Sequence, residues 1–434
     1  MKKTMLHAYI RQLPVGQGGF LIGHIRDDNS GALTYAFDCG SINREHFERG
    51  LSFCSEGKID ILFVSHLDAD HINGIDALAA QMQIDTVVLP CLDPLQVTMI
   101  SCEATGELGI RASVRSFLTD STGWLADRGV KRILYMKRAD STAEALPFNP
   151  DSEQSVEDDV VPNEEGGSPD RPYTIRSQGV GEAKTLRSGT VVERTLGEHT
   201  SISTGTRGRT ASWLLVPYVH PFPDACIALF RKAVGHLLPR TFASREIASK
   251  VFTKKIMALL LDEDTRETLK CCYSILSKDN NKPSLSLYSG PHPRIAGAKN
   301  ISRSDQHFWP FYPSPYQRLV PLAGPPANKG GAWLCTGDAN LKTAGTRTPW
   351  LQRFGNLLDQ VEVFTLPHHG SNLSIHNEVI MRLKGSVMIA CAAKGRSKHP
   401  HHLLLGRLRT YDQSVWQVSE EVESSYTLNV TFGR

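Results

Sequence analysis

The chain of 434 residues predicts a layered α/β fold. Three observations carry that prediction. Short, nearly all-apolar runs such as Ile59–Val64 suit strands buried on both faces. A stretch of helical spacing follows, with apolar residues at Ile72, Ile75, Leu78, Ala79 and Met82. Several apolar runs end on Asp, His or Gly, the residue types that turns at strand ends favour.

Taken in order, LHAYIRQL (6–13) and GFLIGHI (19–25) read as strands joined by the glycine-rich turn PVGQGG. LTYAFDCG (33–40) is a strand ending at an acid and a glycine. IDILFVSH (59–66) is a buried strand, HINGIDALAAQMQ (71–83) a helix, and DTVVLP (85–90) a strand again. From Asp140 to Asp170 the chain has ten acidic residues, no Lys or Arg, four prolines and a single aromatic, Phe148. Such a segment buries too little apolar surface to offset its ordering entropy and is expected to be partly disordered. Residues 171–210 are polar and lack a strong period. SWLLVPYVHPF (212–222) reads as a strand, and 225–277 as mostly helical. Strands resume at PSLSLYSG (283–290), GAWLCTGD (331–338), VEVFTLPHH (361–369) and GSVMIACA (385–392). This alternation favours one catalytic domain split by insertions. Its N-terminal half is 1–139 and its C-terminal half 211–224 with 278–434. Residues 140–210 form an acidic, then polar insertion, and 225–277 a helical one.

Composition narrows the classes. The chain is 40% hydrophobic and 21% charged, a globular balance. Nine cysteines without a CxxC pair argue against a disulfide scaffold or zinc ribbon and for a reducing cytoplasm. No apolar run reaches a membrane span, and no apolar stretch follows the basic N-terminus as in a signal peptide. Net charge is +3, but it is segregated. Without the ten acids of the insertion, 35 acidic residues face 48 Lys and Arg. Residues 382–409 hold seven Lys or Arg, three His and no acid, which suits attraction of an anion.

The chemistry concentrates in Ser65-His66-Leu67-Asp68-Ala69-Asp70-His71, between a buried strand and a helix. Four ligand-type side chains in six residues are expensive to bury without a counter-charge. In a tight turn His66 and Asp68 can face one ion, and Asp70 with His71 a second. The plain alternative is an acidic helix start capped by Asp70. Thr336-Gly337-Asp338, Leu366-Pro367-His368-His369-Gly370-Ser371 and Phe37-Asp38-Cys39-Gly40 each end another apolar strand.

In this order the residues resemble the metallo-β-lactamase fold superfamily, and more narrowly its ComEC-type branch. Val15–Gly18 resembles the opening VGQG, Ser65–Gly74 the SHxDxDHxxG element, and Val219-His220-Pro221 the LHP element. Asn281–Leu287 is similar to the NxxSLVL strand, Asp338 falls in a TGD, His368–Ser371 matches HHGS, and Lys394–Pro400 matches the late basic segment ending in His-Pro. The resemblance implies a four-layer αβ/βα sandwich with insertions, with metals at the rim between two sheets. It implies two divalent ions, zinc first, with manganese and iron also suited. His66 and Asp68 hold one, and Asp70, His71 and one of His368 or His369 the other. Asp338 bridges, and Asp38 supports from behind. His368 is favoured as the ligand because it comes first, leaving His369 for substrate or proton transfer; Asp70, Asp338 and His369 are the catalytic set. Ser371, Lys394, Arg396 and His399 join His369 in holding substrate. A mid-chain histidine usual in the superfamily is missing, and His220 or Asn281 is expected in its place. The membrane-spanning helices of the ComEC channel are absent as well.

The implied reaction is hydrolysis of a phosphodiester, in nucleic acid before other substrates, by a hydroxide that the metals activate. Two alternatives stand beside it. One is hydrolysis of a non-nucleotide ester or amide. The other is a subunit role in a multi-gene bacterial system, antiviral defence included, with protein partners bound through 140–210 and 225–277.

Overall fold

The computed structural model describes residues 5–28, 31–55, 57–92, 112–139, 148, 172–177, 181, 184–186, 191–204, 213–221, 228–229, 232–233, 235–236, 262–265, 267–268, 284–293, 299–304, 318–319 and 329–433. Nineteen strands run through them. They are β1 (Met5–Gln12), β2 (Gly18–Asp27), β3 (Gly31–Ser41), β4 (Lys58–Phe63), β5 (Gln83–Pro90), β6 (Arg132–Met136), β7 (Tyr173–Ser177), β8 (Lys184–Leu186), β9 (Val191–Leu196), β10 (Thr200–Thr204), β11 (Trp213–Val219), β12 (Leu285–Pro291), β13 (Lys299–Arg303), β14 (Arg318–Leu319), β15 (Ala332–Cys335), β16 (Val361–Thr365), β17 (Val387–Cys391), β18 (Ser414–Val418) and β19 (Tyr426–Gly433).

They form two sheets. The first has ten strands in the order β13-β19-β1-β2-β3-β4-β5-β6-β9-β8, and the second nine, β14-β18-β17-β16-β15-β12-β11-β10-β7. Each contains a parallel run, β3 to β9 in the first and β15 to β18 in the second. Parallel strands need both faces covered, which explains their near-continuous apolar sequence. Between the sheets lies one core, with Tyr35, Phe63, Trp213, Trp333 and Phe432. Helices cover the outer faces. Phe47 and Leu51 of the helix Arg44–Leu51 and Leu78 of the helix Ile75–Gln81 pack on the first sheet. Trp350 and Phe354 of the helix Ala344–Phe354 and Leu404 and Leu408 of the helix His402–Thr410 pack on the second. The layer order is helix, sheet, sheet, helix, as the αβ/βα sandwich predicts. Among the described residues no helix is long and apolar enough to cross a membrane.

Several elements depart from the sequence expectation. The helix expected over 71–83 is two, Ala69–Ile72 and Ile75–Gln81, parted at Asn73-Gly74. A Cβ on Gly74 would meet the Phe47 ring at 2.2 Å, so the break seats one helix against another. The strand expected to stop at Gly40 runs on to Ser41 through a bulge that puts Asp38 at φ 59°. Residues 173–204 were expected to be polar insertion. They carry β7 to β10, which extend both sheets. Their Thr- and Val-rich strands are three to six residues long, too short to show a period. β18 and β19 also escaped the sequence reading; β19 pairs with β1, so the described ends of the chain are neighbours. Of the acidic stretch only Phe148 is described; its N–H donates to Arg353 O at 2.9 Å and its ring lies under that guanidinium. Asn281 and most of 225–277 lie outside the described residues, as do the adjacent cysteines Cys271 and Cys272 and an aromatic, proline-rich stretch, HFWPFYPSPYQ at 307–317.

Opposite charges also lock one sheet to the other. Arg303 of β13 and Glu362 of β16, both fully buried, meet at 2.7 Å. Lys329 N–H also donates to that carboxylate, at 2.7 Å.

Candidate metal centre

The loops that follow β4, β15 and β16 converge at one rim between the sheets. The first brings His66, Asp68, Asp70 and His71, the second Asp338, the third His368 and His369. Glycines make the approach possible. A Cβ on Gly40 would lie 2.6 Å from Asp70 O, and one on Gly18 would lie 2.7 Å from the same oxygen. The GQGG turn therefore makes room for the backbone of the ligand loop. Gly337, at φ 52°, similarly fits against Ser65 and Ser284.

Asp38 organises the histidines from behind. Its Oδ1 accepts from Ser65 N–H at 2.7 Å, and its Oδ2 accepts from Ser65 Oγ–H at 2.8 Å and from His71 Nδ1–H at 2.8 Å. Ser65 has one hydroxyl proton and gives it to Asp38, so it accepts from His66 Nδ1–H at 2.8 Å. Both imidazoles are thereby held through Nδ1 with Nε2 turned inward, the orientation that metal-ligating histidines take from their hydrogen-bond partners. Ser65 stood in the sequence only as part of a motif. Its role as the link between Asp38 and His66 becomes visible in three dimensions.

The inward atoms form two groups that share His71. In one, His66, His71 and Asp338 bring donor atoms within 4.8 Å of one another; in the other, Asp70, His71 and His369 do. His66 Nε2 is 3.5 Å from Asp68 Oδ2 and 3.6 Å from Asp338 Oδ2. His71 Nε2 is 3.6 Å from Asp338 Oδ1, and His369 Nε2 is 3.2 Å from Asp70 Oδ2. His66 Nε2, His71 Nε2 and Asp338 Oδ1 are buried and have no hydrogen-bond partner. Buried polar atoms facing one another with no hydrogen-bond partner are costly, and a divalent cation, taking the place of any proton on the histidines, is a group that relieves them. The mixed N and O donor set suits zinc or manganese.

Electrostatics agree. Burial by itself would lower the pKa of His71, yet Asp38, Asp70 and Asp338 raise it to about 10. Burial would raise Asp338, yet His368, His66, His369 and His71 hold its carboxyl well below the usual range. Asp70 is lowered too, because His71 and His369 outweigh its burial. The carboxylates are therefore ionised and the site attracts positive charge.

The structure places the other sequence candidates as follows. His368 and His369 sit in a tight turn at φ 50° and 54°. His369 joins Asp70 and His71, whereas His368 Nδ1 lies 3.7 Å from Asp338 Oδ2. His399 stacks on His368 at 5.4 Å, and burial, with His369 and His368 nearby, pushes its pKa down to about 4. Ser371 donates its N–H to His368 O. Lys394 pairs with Glu421 at 2.5 Å, while Arg396 and Lys398 are exposed and pair with none of the described acids. His220 belongs to neither donor group. Its Nε2 bonds Ser286 Oγ at 2.7 Å, and burial lowers its pKa to about 3, leaving a neutral imidazole.

No protein-family model and no curated protein matches the chain. Among solved structures, a long form RNase Z from yeast aligns with 89% of this chain and 36% of its own, at 8% identity and a TM-score of 0.31. The chain thus spans about a third of that protein's length.

Proposed function

We propose that this chain is a metal-dependent phosphodiesterase acting on nucleic acid, of the ComEC-type branch of metallo-β-lactamase fold hydrolases. One observation carries the reading. Two donor groups share His71 and are drawn from both sheets, and three of their buried atoms, His66 Nε2, His71 Nε2 and Asp338 Oδ1, find no hydrogen-bond partner among the described residues. His66 and Asp68 would hold one ion, Asp70, His71 and His369 the other, and Asp338 would reach both. A bound divalent pair supplies a water acidified toward a pKa of about 7 and positive charge against the phosphoryl oxygens.

The chain's residues do the rest. Asp38 and Ser65 hold His71 and His66 at Nδ1, so each ring keeps its Nε2 turned inward. Asp338, ionised and 5% exposed, keeps its negative charge inside the rim instead of toward the entering phosphate. His368 and His399 stack at the mouth. His399 is neutral at working pH and offers a ring nitrogen to a substrate oxygen. Outside them stand Arg396 and Lys398 on a chain whose acids are outnumbered beyond the 140–170 segment. That charge favours a polyanion over a neutral ester.

The test combines elemental analysis with digestion of single- and double-stranded DNA and RNA, cyclic nucleotides and a neutral ester. Two equivalents of metal and cleavage of nucleic acid are expected, with chelator-treated protein inactive. Asp338→Asn should lose about 10²–10³ in rate. Equal cleavage by Asp338→Asn, or turnover of the neutral ester alone, overturns the reading.

A further inference from the structure

The sequence locates basic residues on one side of the metal centre, at 394–398. The structure reveals a second cationic group on the other side. β17, β16 and β15 are adjacent and parallel, so the loops at their C-terminal ends stand in a row along the rim. The loop after β17 carries Arg396 and Lys398, the one after β16 His368 and His369, and the one after β15 Asp338 and then Lys342. Neighbouring strands are about 4.8 Å apart, so the outer two loops leave the sheet about 10 Å from each other, with the metal ligands between them.

Lys342 is exposed and sits four residues beyond Asp338. Its loop is tied to the one after the paired histidines: Leu341 N–H donates to Ser374 O at 2.8 Å, and Leu341 bridges to Ile375. Two arginines stand around it. Arg347 Nη1 donates to Lys342 O at 2.7 Å, and Arg407 is fixed by Asn372, Asn377 and Ile375. Arg347 pairs with Glu378 at 2.7 Å, but Lys342 pairs with none of the described acids. Burial and the charge of Arg407 lower the Lys342 pKa. Three cations thus share one carboxylate. The helix Ala344–Phe354 begins beside them with no acid in its first turn, and the side chain of its cap, Thr343, bonds the Thr346 hydroxyl instead of a helix N–H. Among the described residues Glu378 is the one acid paired with this group, through Arg347, so the cations exceed their counter-charge and an added anion would offset the excess.

We propose that Lys342, backed by Arg347 and Arg407, holds a backbone phosphate of a phosphodiester strand that crosses the metal centre toward Arg396 and Lys398. The inference rests on the phosphodiesterase reading and adds the strand's path. Cations on both sides of the centre favour a chain of phosphates over a single one.

The experiment is binding of a fluorescently labelled 12-nucleotide single strand to the full chain in chelator, so that cleavage plays no part. Lys342→Glu should raise Kd at least tenfold and flatten the dependence of log Kd on log salt by about one. Arg396→Glu/Lys398→Glu should also weaken binding, and combining the sets should weaken it further. Lys131→Glu is the control, since Lys131 precedes β6 at the opposite end of the parallel strands; it should bind as wild type. Circular dichroism confirms that each variant is folded. The proposal is overturned if Lys342→Glu binds like Lys131→Glu, or if micromolar inorganic phosphate displaces the strand from wild type, which would mark a site for free phosphate. Wild type that binds the strand through Lys342 but, metal-loaded, cleaves nothing would leave the path standing and remove the phosphodiesterase reading.

Discussion

Asp38 reaches His71 directly and His66 through a single serine, and Ser65 is where that linkage is most exposed to test. Ser65→Ala removes the acceptor of His66 Nδ1–H and a donor to Asp38. Metal affinity should fall about 10- to 100-fold, read by zinc competition against a chromophoric chelator, while the fold persists. A second test concerns His220. Its folded pKa of about 3 lies below the unfolded value near 6.5. Between those values the unfolded chain binds a proton that the native chain refuses, so stability is complete above about pH 6.5 and declines as pH falls toward 3. His220→Asn should make the loss of unfolding free energy over that window shallower, by up to ~1.4 kcal/mol per pH unit. Denaturant titrations at pH 7, 6 and 5 measure it, and an unchanged slope would mean that His220 is not the neutral, buried group described.

At the scale of elements, the ligand loop is held by what surrounds it as much as by its own residues. Asp70 O and His71 N pass within 2.6–2.8 Å of where a Gly40 Cβ would stand. Gly40→Ala must move that backbone. A displacement near 1 Å in a catalytic group can cost about 10² in rate, so activity should fall by that order while the protein remains folded. Steady-state kinetics beside a thermal melt separate the two effects; full activity would show that the loop does not need this clearance. The same scale explains the paired histidines. Under the resemblance His368 is favoured because it comes first of the pair at the strand end. The turn instead takes both residues to positive φ, and this sends His369 to Asp70 and His368 toward Asp338.

For the whole molecule, the metal centre and the Arg303–Glu362 pair do one job in common, joining the two sheets. His66, Asp70 and His71 belong to the first half and Asp338, His368 and His369 to the second. Ions held by both halves, as proposed, would bind the native state in preference to the unfolded one. At 100 times Kd each contributes about 2.7 kcal/mol. Zinc or manganese should therefore raise the melting temperature by several degrees over chelator-treated protein, and Asp338→Asn should lose most of the increment. Equal melting curves with and without metal would disconnect the centre from the fold.

The layered α/β class was legible in the residues themselves, because strands buried on both faces must be almost wholly apolar and the motifs interrupt them at their ends. The candidate ligand types stood out there too, since four titratable side chains in six residues are expensive to bury without a counter-charge. What chain order could not convey was distance. Short polar strands at 173–204 take their conformation from the sheet edges they extend, the relay through Ser65 needs β3 beside β4, and Lys342 joins Arg396 and Lys398 only because β15, β16 and β17 lie side by side. Local composition sets which groups can bind or bury; long-range strand pairing decides which of them meet.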